Sequence, residues 1–129
     1  MTRQEVFAKV CIHLMNQGKS ATQGSQPDNP CRYRIKGLMC AAGCLIHAEH
    51  YKPALEGLSV IPTRGTEVAD ALLASGVHEA DLEVVRALQV VHDSHNPDHW
   101  ADRLGRVASR FNLMRPVCIR ELDRPNNSY

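Results

Sequence analysis

Asn96-Pro97-Asp98-His99-Trp100-Ala101-Asp102-Arg103-Leu104-Gly105-Arg106-Val107-Ala108-Ser109-Arg110-Phe111 is the stretch on which the fold turns. At about 100° per residue, Trp100, Leu104, Val107 and Phe111 fall within about 60° of one another, the apolar stripe of an amphipathic helix. Asn96 supplies an N-cap, and Pro97 a first-turn residue with no N–H to leave unpaired. Trp100 is the anchor of that stripe. Such a face must be covered by other helices, and the search for them runs back along the chain.

Leu82, Val85, Leu88 and Val91 or His92 recur at helical spacing. Glu79, Asp81 and Glu83 stand near the start of that helix, where its dipole favours negative charge. Before it, Thr66 is placed to cap a helix with Val68, Ala69, Leu72 and Leu73 inward, ending near Gly76. At the other end of the chain Thr2 and Glu5 have capping-box spacing. Val6, Phe7, Val10, Cys11 and Leu14 follow, and Gly18 is placed to end the helix in a left-handed conformation. Cys11 is thereby a core thiol. Cys31, Tyr33 and Ile35 alternate with Arg32, Arg34 and Lys36, the period of a half-buried strand turned at Gly37. Leu38 to His50 reads as another helix, with Leu38, Ala41, Ala42, Leu45 and Ile46 on one side and Cys40, Cys44 and His47 on the other. The small residues Ala41, Ala42 and Gly43 let a neighbouring backbone approach closely, which suits the preceding strand folding back on them. Residues 51–64, with Pro53, Gly57 and Pro62, read as irregular.

These elements predict a mainly α, single compact domain, residues 1–129, of four or five helices with a small β element near residues 31–36. Its core is expected around Val6, Val10, Leu14, Leu45, Leu72, Leu88, Leu104 and Phe111. Residues 18–30, rich in glycine, proline and small polar groups, are expected to be a flexible loop, and residues 123–129 a frayed tail. The composition agrees: 129 residues, 43% hydrophobic, 22% charged and a formal charge of +1 describe one globular unit able to sustain a core without staples. No run is long enough to span a bilayer, and Met1-Thr2-Arg3-Gln4-Glu5 lacks the apolar stretch of a secretory signal, so no membrane association is expected. Five cysteines cannot all pair within one chain, and free thiols in a reducing compartment follow.

The near-neutral total hides segregation. Residues 1–66 hold 8 Lys/Arg and 4 Asp/Glu, residues 67–98 hold 1 and 7, and residues 99–129 hold 6 and 3, giving +4, −6 and +3. Neither sign dominates as it would in an ordinary nucleic-acid domain. Two basic groups stand out: Arg32, Arg34 and Lys36, and the stripe Arg103, Arg106 and Arg110 beside the apolar face of the last helix. Guanidinium groups so arrayed can grip carboxylates or phosphates. Only Tyr33 is interleaved with them, which disfavours base stacking.

Two clusters carry ligand-type side chains. Cys31, Cys40, Cys44, His47 and His50 offer thiolate and imidazole donors, yet their spacing matches no familiar structural zinc motif. No metal or other cofactor is expected. If an ion were held, Cys31, Cys40, Cys44 and His47 would be its ligands. Cys40, in the first turn of a helix beside basic residues, is also where a nucleophile would be sought, but no cysteine-protease signature surrounds it. The second cluster, His92-Asp93-Ser94-His95-Asn96-Pro97-Asp98-His99, has the His-Asp adjacency of metal-dependent phosphohydrolases. It has the simpler reading of cap and turn residues between two helices. No catalytic role is therefore assigned.

Cys31-Arg32-Tyr33-Arg34, then Gly37-Leu38-Met39-Cys40-Ala41-Ala42-Gly43-Cys44-Leu45-Ile46, then Tyr51 and Leu55-Glu56-Gly57, resemble a group of small bacteriophage and prophage proteins. The region from Ala87-Leu88-Gln89 to His92-Asp93 and Trp100 is similar to the same group, and the pattern is broken at His47, where proline is expected. The resemblance implies a mobile-element origin and action in the cytoplasm of a bacterial host, by occupying a surface of a host protein or complex, defence systems such as CRISPR effectors included. The expected function is thus a non-enzymatic, anti-CRISPR-like binding protein that inhibits or modulates a host protein assembly. The alternatives are a small nucleic-acid-binding regulator, or a zinc-binding or thiol enzyme. Contact residues are expected among Arg32, Arg34 and Lys36, or among Arg103, Arg106 and Arg110.

Overall fold

The computed structural model describes residues 1–22, 31–94 and 96–119. The first helix, α1, spans Arg3–Gln17 and opens on the capping box read from Thr2 and Glu5. The Thr2 N–H donates to Glu5 Oε1 at 2.7 Å and the Glu5 N–H to Thr2 Oγ1 at 3.1 Å. Gly18 closes it at φ 68°, a left-handed conformation that costs glycine nothing. Val6, Phe7, Val10, Cys11 and Leu14 are wholly buried.

The β element is an antiparallel pair, β1 (Arg34–Ile35) and β2 (Leu38–Met39), with Arg34 opposite Met39 and Ile35 opposite Leu38. Lys36 and Gly37 make the turn, both at positive φ, as the twist-matched two-residue hairpin requires. Cys31 lies outside the ladder and bridges to Thr22. The expected helix over Leu38–His50 is shorter: α2 covers only Ala41–Leu45. Leu38 and Met39 are drawn into the hairpin because the Gln17 side-chain amide satisfies both Met39 backbone groups, at 2.9 Å each. At the far end Ile46 turns extended (ψ 120°), and the His47 N–H leaves the helix ladder for the buried Ser75 hydroxyl at 2.9 Å. A 3₁₀ turn, Ala48–His50, follows.

Gly43 meets the backbone of Tyr33, the close approach that the small residues of α2 predict. Glu56 clamps the chain leading into β1, accepting from the Tyr33 N–H at 2.9 Å and also from the Tyr51 hydroxyl at 2.7 Å. Residues 51–64 are irregular apart from a short 3₁₀ turn, Pro53–Leu55.

Helix α3 spans Glu67–Ala74. Thr66 sits at its N-cap, but its hydroxyl donates to Thr63 O instead of capping, and Asp70 holds the Gly65 N–H. Helix α4 spans Leu82–Ser94 and α5 Trp100–Phe111, joined through a 3₁₀ turn, Pro97–His99, whose first amide is held by Asn96. Asp81, read above as a partner of the helix dipole, is buried in an ion pair with Arg3 at 2.7 Å and so ties α1 to the start of α4. Asn112 ends α5 at φ 57°. The Gln4 amide then holds both Met114 backbone groups, fastening the returning chain to α1.

Helices α1, α2, α4 and α5 pack on one another around a single core. Seven of the eight expected core residues are fully buried, while Phe111 is only partly covered. The loop expected over residues 18–30 is not solvent-facing throughout, because Ala21 is buried. Residues 23–30, and the tail expected over 123–129, lie outside the described residues.

Candidate functional site

Toward its C-terminal end α4 turns three polar side chains into one hydrogen-bonded knot. Gln89 accepts from the Ala42 N–H at 2.9 Å and donates to Asp93 Oδ1 at 2.8 Å. His92, fully buried, accepts at Nε2 from the Ala21 N–H at 3.0 Å. That contact fixes the tautomer: the proton must sit on Nδ1, which donates to Asp93 Oδ1 at 2.8 Å. The Cys31 thiol is hydrogen-bonded to the same carboxylate. The segment after α1, the chain leading into the hairpin, α2 and α4 are thereby tied at one point.

Donor atoms of Cys31, His92 and Asp93 lie within 4.8 Å of one another, so members of the two sequence clusters meet here. The donor set is nonetheless a poor ion cage. Metal-bound histidine keeps a proton on its outward nitrogen and donates it to an acceptor, whereas the outward nitrogen of His92 faces an N–H donor. Nor is it a Cys–His dyad, since Cys31 pairs with a carboxylate and His92 has no free lone pair to receive a proton. Of the other sulfur and imidazole candidates, Cys40 caps α2 through its sulfur, which accepts from the Gly43 N–H at 3.3 Å. Cys44 donates to Ala41 O, and His47 is exposed and stacked on His50. The four candidate ligands Cys31, Cys40, Cys44 and His47 therefore do not converge, because α2 ends before His47. His95 lies outside the described residues.

Burial holds the thiols protonated. It pushes Cys31 from about 9 to about 12, with Asp93 adding to the rise, and Cys44 to about 12 against the pull of Lys9; Cys40 and Cys11 are raised further. Stability linked to Cys31 and Cys44 is whole below their ordinary value of about 9 and is lost as the pH climbs toward about 12. Alkaline unfolding should begin in that window. Iodoacetamide at about pH 8 should label both thiols about 100-fold or more slowly in the folded protein than after denaturation. Rapid native labelling of Cys31 would revive a thiol chemistry.

Two hollows flank the outer face of α4. The first, about 560 Å³, is lined by Cys31 and Arg32, by Leu58 and Val60, and by Arg86, Val90 and Asp93 of α4. The second, about 380 Å³, lies between α4 and α5, among Arg86, Val90 and Val91 and the facing Arg103, Arg106, Val107 and Arg110. They share Arg86 and Val90, and Val90 is 50% exposed.

The structure thus places the expected contact residues unequally. Arg103, Arg106 and Arg110 rim the α4–α5 groove, and Arg32 lines the adjoining hollow. Arg34 turns inward: its guanidinium donates to Ile46 O at 2.5 Å and lies 5.1 Å above the Tyr51 ring. Lys36 stands exposed at the hairpin tip, away from the groove lining. Arg86 was missed, although it is the lone cation of the acidic segment. The available signal was Val90, four residues on and off the buried stripe of α4. Arg106 is paired with Asp102 at 3.3 Å, Arg110 stacks on Phe111 at 4.8 Å, and Arg103 Nε is buried with no hydrogen-bond partner among the described residues.

Comparison with known proteins gives no match to a family model, to a curated protein or to a solved structure.

Proposed function

We propose that this chain is a non-enzymatic binding protein of phage or prophage type that acts in a bacterial cytoplasm, inhibiting or modulating a host protein assembly, with defence machinery the leading candidate. One observation carries the reading: four arginines, Arg86, Arg103, Arg106 and Arg110, surround a valine-floored groove between α4 and α5. Arginine beside exposed aliphatic surface is the composition of an interface anchor. Burial, which pushes the thiols of Cys11, Cys31, Cys40 and Cys44 up, weighs against a thiol chemistry. Among the described residues no helix is long and apolar enough to cross a membrane.

Affinity capture from a bacterial lysate, run with and without nuclease treatment, tests this, with Arg103, Arg106 and Arg110 reversed to glutamate as the comparison. Recovery of a defined protein complex is the expected result. Recovery of nucleic acid alone, before nuclease treatment and lost in moderate salt as counterion release requires, would replace the proposal with a nucleic-acid regulator.

A further inference from the structure

The arginines of α5 recur at i, i+3 and i+7, so the row Arg103, Arg106, Arg110 is about 10 Å long at 1.5 Å per residue. Facing it, α4 contributes Arg86, Ala87, Val90 and Val91 at i, i+1, i+4 and i+5, one side of that helix. The groove between these rows is floored by valine and walled by cations, with Glu83 the one acid among the described residues of its lining. We infer that the α4–α5 groove is the docking site for an acidic amphipathic helix of a protein partner. Its aliphatic side chains meet Val90, Val91 and Val107, and its carboxylates answer Arg86, Arg103, Arg106 and Arg110.

Three features select that occupant. A ligand helix repeats its side chains at the pitch of α5, so carboxylates at i, i+3 or i+4, and i+7 meet the arginine row in register, as in helix-in-groove recognition. Arg103 Nε makes no hydrogen bond among the described residues, so the groove wall carries a guanidinium whose hydrogen-bonding capacity the described fold does not fully use. Among the described residues no aromatic side chain lines the groove, which argues against the stacking platform that single-stranded nucleic acid uses. Aliphatic floor plus guanidinium wall suits leucine and glutamate better than bases and phosphates.

This inference rests on the binding reading above and is tested separately from it. The probe is a displayed library of helical peptides about four turns long, randomised on one face, selected on the intact protein. Enriched peptides should carry Asp or Glu at i, i+3 or i+4, and i+7, flanking aliphatic residues. A selected peptide should bind the Arg103→Glu, Arg106→Glu, Arg110→Glu variant at least about 100-fold more weakly, and the milder Arg110→Gln about five- to tenfold more weakly. Circular dichroism keeps loss of fold from being read as loss of binding. The inference fails if no peptide is enriched, if enriched faces carry no acidic excess, or if the reversed variant binds equally. It also fails if an oligothymidine competes better than the selected peptides, or if the groove proves to be filled by a second copy of the chain on sedimentation. Lysate capture that persists with the reversed arginines would remove this groove and leave the binding reading standing. A selected acidic helix with no host complex captured would do the opposite.

Discussion

Gly43→Ala is expected to lower stability by about 3 kcal/mol or more, a large part of the roughly 5–15 kcal/mol that holds a domain together. A Cβ at this position would stand 2.1 Å from the Tyr33 carbonyl oxygen, 2.8 Å from its carbon and 3.1 Å from its Cα. Backbone cannot swing aside as a side chain does. Tyr33 is also held from three directions: its carbonyl accepts from the Cys40 N–H at 3.2 Å, its own N–H donates to Glu56, and its hydroxyl donates to Leu58 O. The gain of about 1 kcal/mol from alanine in a helix does not offset separating α2 from the Tyr33 backbone that leads into β1. Gly105→Ala is the control. There the three atoms nearest the new methyl all belong to the guanidinium of Arg115, the closest at 2.9 Å; that side chain can shift at the expense of its hydrogen bond to Gly105 O, so the cost should stay at about 1 kcal/mol. Urea denaturation followed by circular dichroism measures both. A Gly43→Ala midpoint close to that of the parent would show that the two backbones do not touch.

Trp100→Ala should cost about 3–5 kcal/mol, the usual range for removing a large buried aromatic. Trp100 is 1% exposed at the first residue of α5 and stacks on His92, ring centroids 5.6 Å apart. Its loss opens a cavity and also unpacks one face of the imidazole that ties Ala21 to Asp93. The polar knot should loosen with it. Trp100→Phe refills most of the volume and should recover over half of the loss. The same denaturation measurement decides, and a cost below about 1 kcal/mol would mean that α5 is not anchored here.

How much of this was legible depends on the range of the interactions. Helices α1, α4 and α5 were readable because their stripes and caps are local: Thr2 with Glu5, Leu82 through Val91, Trp100 through Phe111. Gly43 was legible as a point of close approach for the same reason, since smallness shows in the sequence. The stretch Leu38–His50 misled because its apolar spacing continues past both true ends. What stops the helix is remote, Gln17 on one side and Ser75 on the other, and no local pattern encodes either partner. The site was read in pieces. The arginine row of α5 is local and was found, whereas Arg86 joins it only through the packing of α4 on α5. His92 and Asp93 were weighed as metal ligands or turn residues. Their actual role depends on the Ala21 amide, which comes from a segment whose composition argued against burial.

The Gln17 amide has one more effect. In a two-residue hairpin paired as Arg34 with Met39, the Met39 N–H and carbonyl point away from β1, toward the open side of the sheet. Gln17 takes both, just as a neighbouring strand would. A side chain therefore stands in for a third strand, and the margin along which β-rich proteins recruit foreign chains or stack into fibres is sealed from within. Assembly through strand addition at this margin is thereby opposed by a side chain that α1 supplies.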